Sequence, residues 1–131
     1  MHPHLIPPLR RAAEDLRIHQ AEDGSIEFEA NDGELVVAVD DGEVVELRYE
    51  AAGGLSVTLA HEWGESRYAR GQLRSIPAEL TLGHTVRRGE RIFLATSPAL
   101  VFGLTTHGDD DQSPLKHLGL PEPKKPARAR K

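Results

Sequence analysis

The stretch from residue 25 to residue 60 decides the expected fold. It consists of the sequence SIEFEANDGELVVAVDDGEVVELRYEAAGGLSVTLA. Turns that contain Gly33, Gly42 and Gly54 separate runs in which apolar and polar residues alternate. Asp-Gly and Gly-Gly between such runs are hairpin signals, because tight hairpin turns need a positive φ. A turn about every ten residues predicts an antiparallel meander.

The segment before this stretch has a different pattern. Pro7 and Pro8 precede a run that ends at Gln20, and proline is tolerated in the first turn of a helix. Apolar residues follow at helical spacing and form one stripe. They are Leu5, Leu9, Ala12, Ala13 and Leu16. The pattern predicts an amphipathic N-terminal helix that packs on the sheet.

After a weaker pattern at 61–86, two apolar runs return at 90–96 and 99–106, separated by Ser97-Pro98. They predict a final hairpin in the core. The expected fold is therefore α+β, with the N-terminal amphipathic helix packed on an antiparallel meander of about five or six strands. Because the final hairpin and strand 34–40 are apolar on both faces, they need cover on both sides. A two-fold homodimer provides that cover, and partial closure of the sheet into a barrel is the alternative.

Charge divides the chain at its C-terminal end. The net charge is −5, yet residues 114–131 carry six basic side chains against one acid. We expect residues 1–108 to form a single domain and residues 109–131 to form an acidic turn followed by a disordered tail rich in Pro, Lys and Arg. The tail predicts weak, salt-sensitive binding of nucleic acid through phosphate contacts. The residues in question are Lys124, Lys125, Arg128, Arg130 and Lys131.

The remaining composition excludes several classes of protein. No apolar run approaches the roughly 18 residues of a membrane span, and the N-terminus lacks the pattern of a signal peptide. We therefore predict a cytoplasmic protein without membrane contact. No cysteine is present, and the seven histidines are scattered, so neither a metal site nor a cofactor is predicted. His61-Glu62-Trp63-Gly64-Glu65 begins like a zinc-protease motif but lacks its second histidine.

The segment 61–91 is the candidate site, because it is locally basic within an acidic domain. Arginine forks bind carboxylate or phosphate and stack on aromatic rings. The candidate residues for binding an anion or a partner are His61, Trp63, Arg67, Tyr68, Arg70, Arg74, Arg87, Arg88 and Arg91. The alternative is that these arginines pair with the protein's own glutamates.

These patterns favour a protein-interaction or adaptor module that self-associates and performs no catalysis. The alternative is an accessory protein that binds nucleic acid through the tail and the arginines of 61–91. A small enzyme or anion-binding protein ranks third, because the sequence offers no paired acid and base and so no catalytic residue can be named.

Overall fold

The computed structural model describes residues 5–11, 15–20, 25–50, 54–72 and 75–106. Within these ranges the chain forms nine β-strands and no helix. The strands are β1 Ile18–Gln20, β2 Ile26–Glu29, β3 Leu35–Val37, β4 Gly42–Glu50, β5 Gly54–His61, β6 Gly64–Gly71, β7 Thr85–Val86, β8 Arg91–Leu94 and β9 Ala99–Thr106. The protein is therefore nearly all antiparallel sheet, and the predicted α+β class is wrong.

Seven strands form one sheet in the order β1-β2-β9-β6-β5-β4-β7, and β3 pairs with β8 in a second, two-stranded sheet. All pairings are antiparallel. Strands β4, β5 and β6 are consecutive neighbours. In contrast, β9 lies between β2 and β6, so the last described strand occupies the middle of the large sheet.

The N-terminal segment is extended where a helix was predicted. The amide of Ile6 donates to the carbonyl of Val39 at 3.1 Å, and the amide of Val37 donates to the carbonyl of Pro8 at 2.8 Å. Leu9, fully buried, forms an isolated bridge with Val36. The physical reason is that a residue before proline avoids the helical region, so the Pro7-Pro8 pair favours an extended backbone that can pair with β3. Residues 12–14, which the prediction included in the helix, lie outside the described residues.

The predicted final hairpin is also wrong. Its two halves are β8 and β9, which belong to different sheets: β8 pairs with β3, and β9 pairs with β2 and β6. The meander likewise breaks between β2 and β3. Ile92 and Phe93 of β8 and the Leu100–Phe102 face of β9 are buried inside the chain, whereas Val101 on the other face of β9 is only partly buried.

One hydrophobic core joins the two sheets. Val36 and Phe93 from the small sheet share a buried cluster with Ile26, Phe28 and Phe102 from the large one. The ring of Phe102 meets that of Phe28 edge-on at a centroid distance of 6.0 Å, and aromatic pairs of this kind add roughly 1 kcal/mol beyond area burial. One apolar face of the large sheet is thus covered within one chain, and the homodimer itself stays a prediction.

The predictions for residues 109–131, including the disordered basic tail and its nucleic-acid contacts, fall outside the described residues. In the part of the chain that the structure describes, no helix has the length and apolar character needed to cross a membrane.

Candidate functional site

The large sheet has one face that the small sheet does not cover, which we call the open face. On β9, Leu100 and Phe102 are fully buried, while the alternate residues Ala99, Val101, Gly103 and Thr105 point the other way. These four side chains are short. They form the floor of a trough along the central strand of the sheet.

Longer side chains from the neighbouring strands form the walls of this trough. On the β2 side, Glu27 lies opposite Val101 and Glu29 lies opposite Ala99. On the β6 side, Ala69, Arg67 and Glu65 lie opposite Val101, Gly103 and Thr105. Residues directly opposite in an antiparallel pair have Cβ atoms about 5 Å apart, so the walls stand close to the floor.

The trough opens into a cleft of about 550 Å³, which we call the β9 cleft. This volume lies within the range of small-ligand sites. The lining residues are Ser25, Glu46, Thr58, Glu65, Arg67, Ala69, Val101, Gly103, Leu104 and Thr105. A second cleft of about 570 Å³ continues the open face past Ala99 and includes Arg17, His19 and Glu29.

Charges on the open face are partly paired. Glu46 accepts a hydrogen bond from Arg48 at 2.7 Å, and His19 lies 2.8 Å from Glu29. Among the described residues, Glu27 and Glu65 take part in none of the ion pairs. Of these two carboxylates, Glu65 lines the β9 cleft and Glu27 lines the second cleft.

A second polar group lies where β5 turns into β6. His61 Nδ1 is 2.6 Å from the carbonyl oxygen of Asp41, and His61 Nε2 is 2.7 Å from Ser66 Oγ. Ser66 Oγ is in turn 2.8 Å from the hydroxyl of Tyr68, which accepts the amide of Val39 at 3.0 Å. We call these three side chains, His61, Ser66 and Tyr68, the His61 chain.

The His61 chain has one consistent arrangement of protons. Because a carbonyl oxygen only accepts, Nδ1 of His61 carries the proton and Nε2 accepts from Ser66. Ser66 then accepts from Tyr68, so each of the two hydroxyls donates one hydrogen bond. Burial lowers the pKa of His61, against the opposing effect of the Asp41 carbonyl and nearby acids, and burial raises the pKa of Tyr68.

Trp63 covers His61 from the solvent side. The two rings are stacked with centroids 4.5 Å apart and planes at 6°. Trp63 Nε1 donates to Asp40 at 2.9 Å, and Arg88 reaches the same carboxylate at 3.2 Å. Burial would raise the pKa of Asp40, but the hydrogen bonds from Trp63, the Asp41 amide and Arg88 together hold this pKa below its usual value.

A serine bonded to a histidine is the arrangement of a nucleophile and its base, so its exposure must be considered. Ser66 has a relative exposure of 0% and Tyr68 also has 0%. A reacting carbonyl could not approach Ser66 Oγ without displacing Trp63 and the surrounding strands. The His61 chain is therefore a structural link between β6 and residues 39–41.

The residues predicted from the sequence do not lie in one place. Trp63 and Arg88 meet through Asp40, Arg67 lines the β9 cleft, and Tyr68 is in the core. Arg91 donates to the carbonyl of Ser75 at 2.7 Å. Arg70 and Arg87 are exposed, and Arg74 lies outside the described residues. Binding of an anion or partner by these residues stays a prediction, without a shared pocket to support it.

Sequence reasoning missed the β9 side of the cleft. The alternation of Ile26 and Phe28 with Glu27 and Glu29 predicted that the two glutamates face outward, as they do in one wall of the trough. No pattern in the sequence indicated that Gly103 and Thr105 form the floor. The described residues contain no group of three His, Cys, Asp or Glu side chains that could hold a metal ion.

Comparison with known proteins gives a likeness in fold. No family model matches the chain, and no curated protein matches it in sequence. Csd3 from Helicobacter pylori superposes with a TM-score of 0.75 over 97% of this chain at 20% identity, and a zinc containing peptidase from Vibrio cholerae with 0.63 over 80% at 20%. The chain covers 38% and 37% of these two proteins.

A single domain gives a fuller match in length. The catalytic domain of the antimicrobial peptidase lysostaphin from Staphylococcus simulans superposes with a TM-score of 0.59, at 22% identity, over 73% of this chain and 78% of that domain. At such identities the likeness shows the fold alone: this chain has the fold of M23-type peptidase domains. The predicted non-catalytic adaptor module of the α+β class is therefore wrong.

Proposed function

We propose that this chain binds the peptide part of the bacterial cell wall as an extended peptide in the β9 cleft. The observation that carries the proposal is the cleft itself, because it follows β9, an interior strand whose other face places Leu100 and Phe102 in the core. The fold supports the substrate class, since the similar structures include several peptidases, among them the antimicrobial peptidase lysostaphin.

The shape of the cleft suits an extended chain. The β9 residues that line the cleft run from Val101 to Thr105, about 13 Å at the rise of an antiparallel strand, which matches a peptide of about four residues. Short side chains keep this floor low, and polar groups from β4, β5 and β6 stand beside it. Such groups can contact the backbone and the charged ends of a peptide along its length.

The zinc of the similar peptidase from Vibrio cholerae has no matching donor set among the described residues of this chain. Zinc sites in proteins use three or four His, Cys, Asp or Glu ligands. The residues present on the open face do not fit this requirement, and no step through zinc is derived for it.

Gly103 allows a direct test of the cleft. A Cβ atom at this position would meet no atom within 4 Å, so a large side chain can enter the cleft without disturbing the core. The full chain is mixed with purified insoluble peptidoglycan, and the pelleted fraction is measured. We expect the wild-type chain to pellet and Gly103→Tyr to bind at least about tenfold more weakly, a change of about 1.4 kcal/mol in binding free energy.

Two controls make the result specific. Glu79→Tyr adds the same side chain at an exposed turn far from the cleft, and it is expected to bind like the wild type. Chitin, a glycan without peptide, is expected not to retain the chain. Equal binding of Gly103→Tyr and the wild type, or retention on chitin, would contradict the proposal.

A further inference from the structure

We infer that ligand binding in the β9 cleft needs no metal ion, although a protein of the same fold is a zinc containing peptidase. This inference rests on the proposed function, since it concerns the same cleft. It begins from a difference in composition. That protein contains zinc, whereas the described side chains on the open face of this chain do not form a zinc site.

Among the described residues, the centre of the cleft offers no set of metal ligands. Val101 lies between Glu27 on β2 and Ala69 on β6, and Gly103 lies beside Arg67. Val101, Ala69 and Gly103 carry an alkyl group or no side chain at all, so Glu27 is the one carboxylate beside these positions. Zinc requires nitrogen, sulfur or carboxylate ligands about 2.0–2.3 Å away.

The charged groups around the cleft are also arranged unfavourably for a metal. Arg67 lines the cleft, and its guanidinium has only N–H donors and no lone pair to offer a metal ion. Glu27 lies opposite Val101 and Glu65 opposite Thr105, four residues further along β9. At the rise of a strand these positions are about 13 Å apart, too far for the two carboxylates to share one ion.

His19 is the one described histidine of the open face, and its Nε2 atom is 2.8 Å from the carboxylate of Glu29. Glu27 lies opposite His19 in the β1–β2 pair, yet the described residues contain no group of three His, Cys, Asp or Glu side chains placed to hold a metal ion, as a catalytic zinc site requires. The ligand is therefore held by direct contacts with the walls of the cleft, where the carboxylate of Glu65 can meet its amino groups.

The first measurement compares peptidoglycan binding by the full chain in the presence of EDTA and after addition of zinc chloride. We expect the pelleted fraction to be the same in both, within about twofold. Binding that is lost in EDTA and restored by zinc would overturn the inference while leaving the proposed function intact. Absence of binding in both conditions would instead contradict the proposed function.

The second measurement keeps the inference testable even if no peptide binds. Zinc affinity is measured by calorimetry for the wild type, for Glu27→Gln and for the double variant Ala99→His with Val101→His. The double variant places two imidazoles on the floor directly opposite Glu29 and Glu27, and shows that the assay detects zinc on this face.

We expect the double variant to bind zinc at least about tenfold more tightly than the wild type, and Glu27→Gln to be indistinguishable from the wild type. Tight zinc binding by the wild type that disappears in Glu27→Gln would place a metal on the open face and overturn the inference.

Discussion

One face of the seven-stranded sheet is buried against the β3–β8 sheet, whereas the other face carries the β9 cleft. The same strand serves both: Leu100 and Phe102 fill the core, and Gly103 and Thr105 form the floor of the cleft. The difference shows how the two faces are constrained. On the buried face, the volume and shape of the core determine which side chains fit. On the open face, the side chains determine which ligand can enter the cleft.

The largest effect is expected from neighbouring residues of β9 that point to opposite faces. Phe102→Ala removes a ring that packs against Phe28 and Tyr68, and should lower the free energy of unfolding by about 3–5 kcal/mol. Val101→Ala, on the open face, should change it by less than about 1 kcal/mol. Urea unfolding measures both.

If Phe102→Ala does not fold, Phe102→Leu provides a milder change, with an expected loss of about 1–2 kcal/mol. Equal losses for Val101→Ala and the Phe102 variants would contradict the assignment of the two faces.

Substitutions at two glycines give a matched comparison, with a smaller expected change in stability. A Cβ atom at Gly71 would overlap the ring of the fully buried Phe93, while one at Gly103 meets open space. We expect Gly71→Ala to destabilise the protein by about 1–3 kcal/mol through overpacking. Gly103→Ala should stay within about 0.5 kcal/mol of the wild type. Thermal unfolding of the two variants decides the point, and a reversed order would break the comparison.

The smallest effect concerns polar groups on the buried side. Burial lowers the pKa of His61 below its ordinary value of 6.5, so the folded chain holds this proton less firmly than the unfolded chain does. The stability that neutral His61 provides is therefore complete above pH 6.5 and declines as the pH falls from 6.5 through the folded-state pKa.

We expect the wild type to lose more stability between pH 7.5 and pH 5.5 than His61→Gln does, because the variant lacks this titrating group. Trp63 is the sole tryptophan of the chain and stacks on His61, so its fluorescence reports unfolding at this corner. Parallel pH profiles for the two proteins would show that His61 does not titrate as its burial requires.

The sequence indicated some of this arrangement. The alternation at 43–50 and 55–60 corresponds to β4 and β5, and Glu27 and Arg67 were recognised as outward-facing or candidate residues. The pairing of Ile26 with Phe102 could not be predicted, because contacts between strands so far apart depend on how both faces pack and leave no local pattern.

The prediction of an N-terminal helix was wrong for a related reason. Leu5 and Leu9 fit a helical stripe, but they also fit an extended segment in which each finds a place in the core. Pro7-Pro8 was interpreted as the start of a helix, although the same prolines favour extended backbone for the residues before them. The floor of the cleft was missed because glycine, alanine and threonine give no chemical signal until β9 is placed between β2 and β6.

The central position of β9 has a consequence for the biosynthesis of this domain. Strands β2 and β6 are synthesised before β9, and each leaves an edge of unpaired amides and carbonyls until residues 99–106 emerge from the ribosome. Open edges of this kind are prone to aggregation, and pairings between distant strands form slowly. Nearly the whole described chain must therefore be available before the sheet can close, so the nascent protein is most exposed to misassembly in the interval just before its last strand docks.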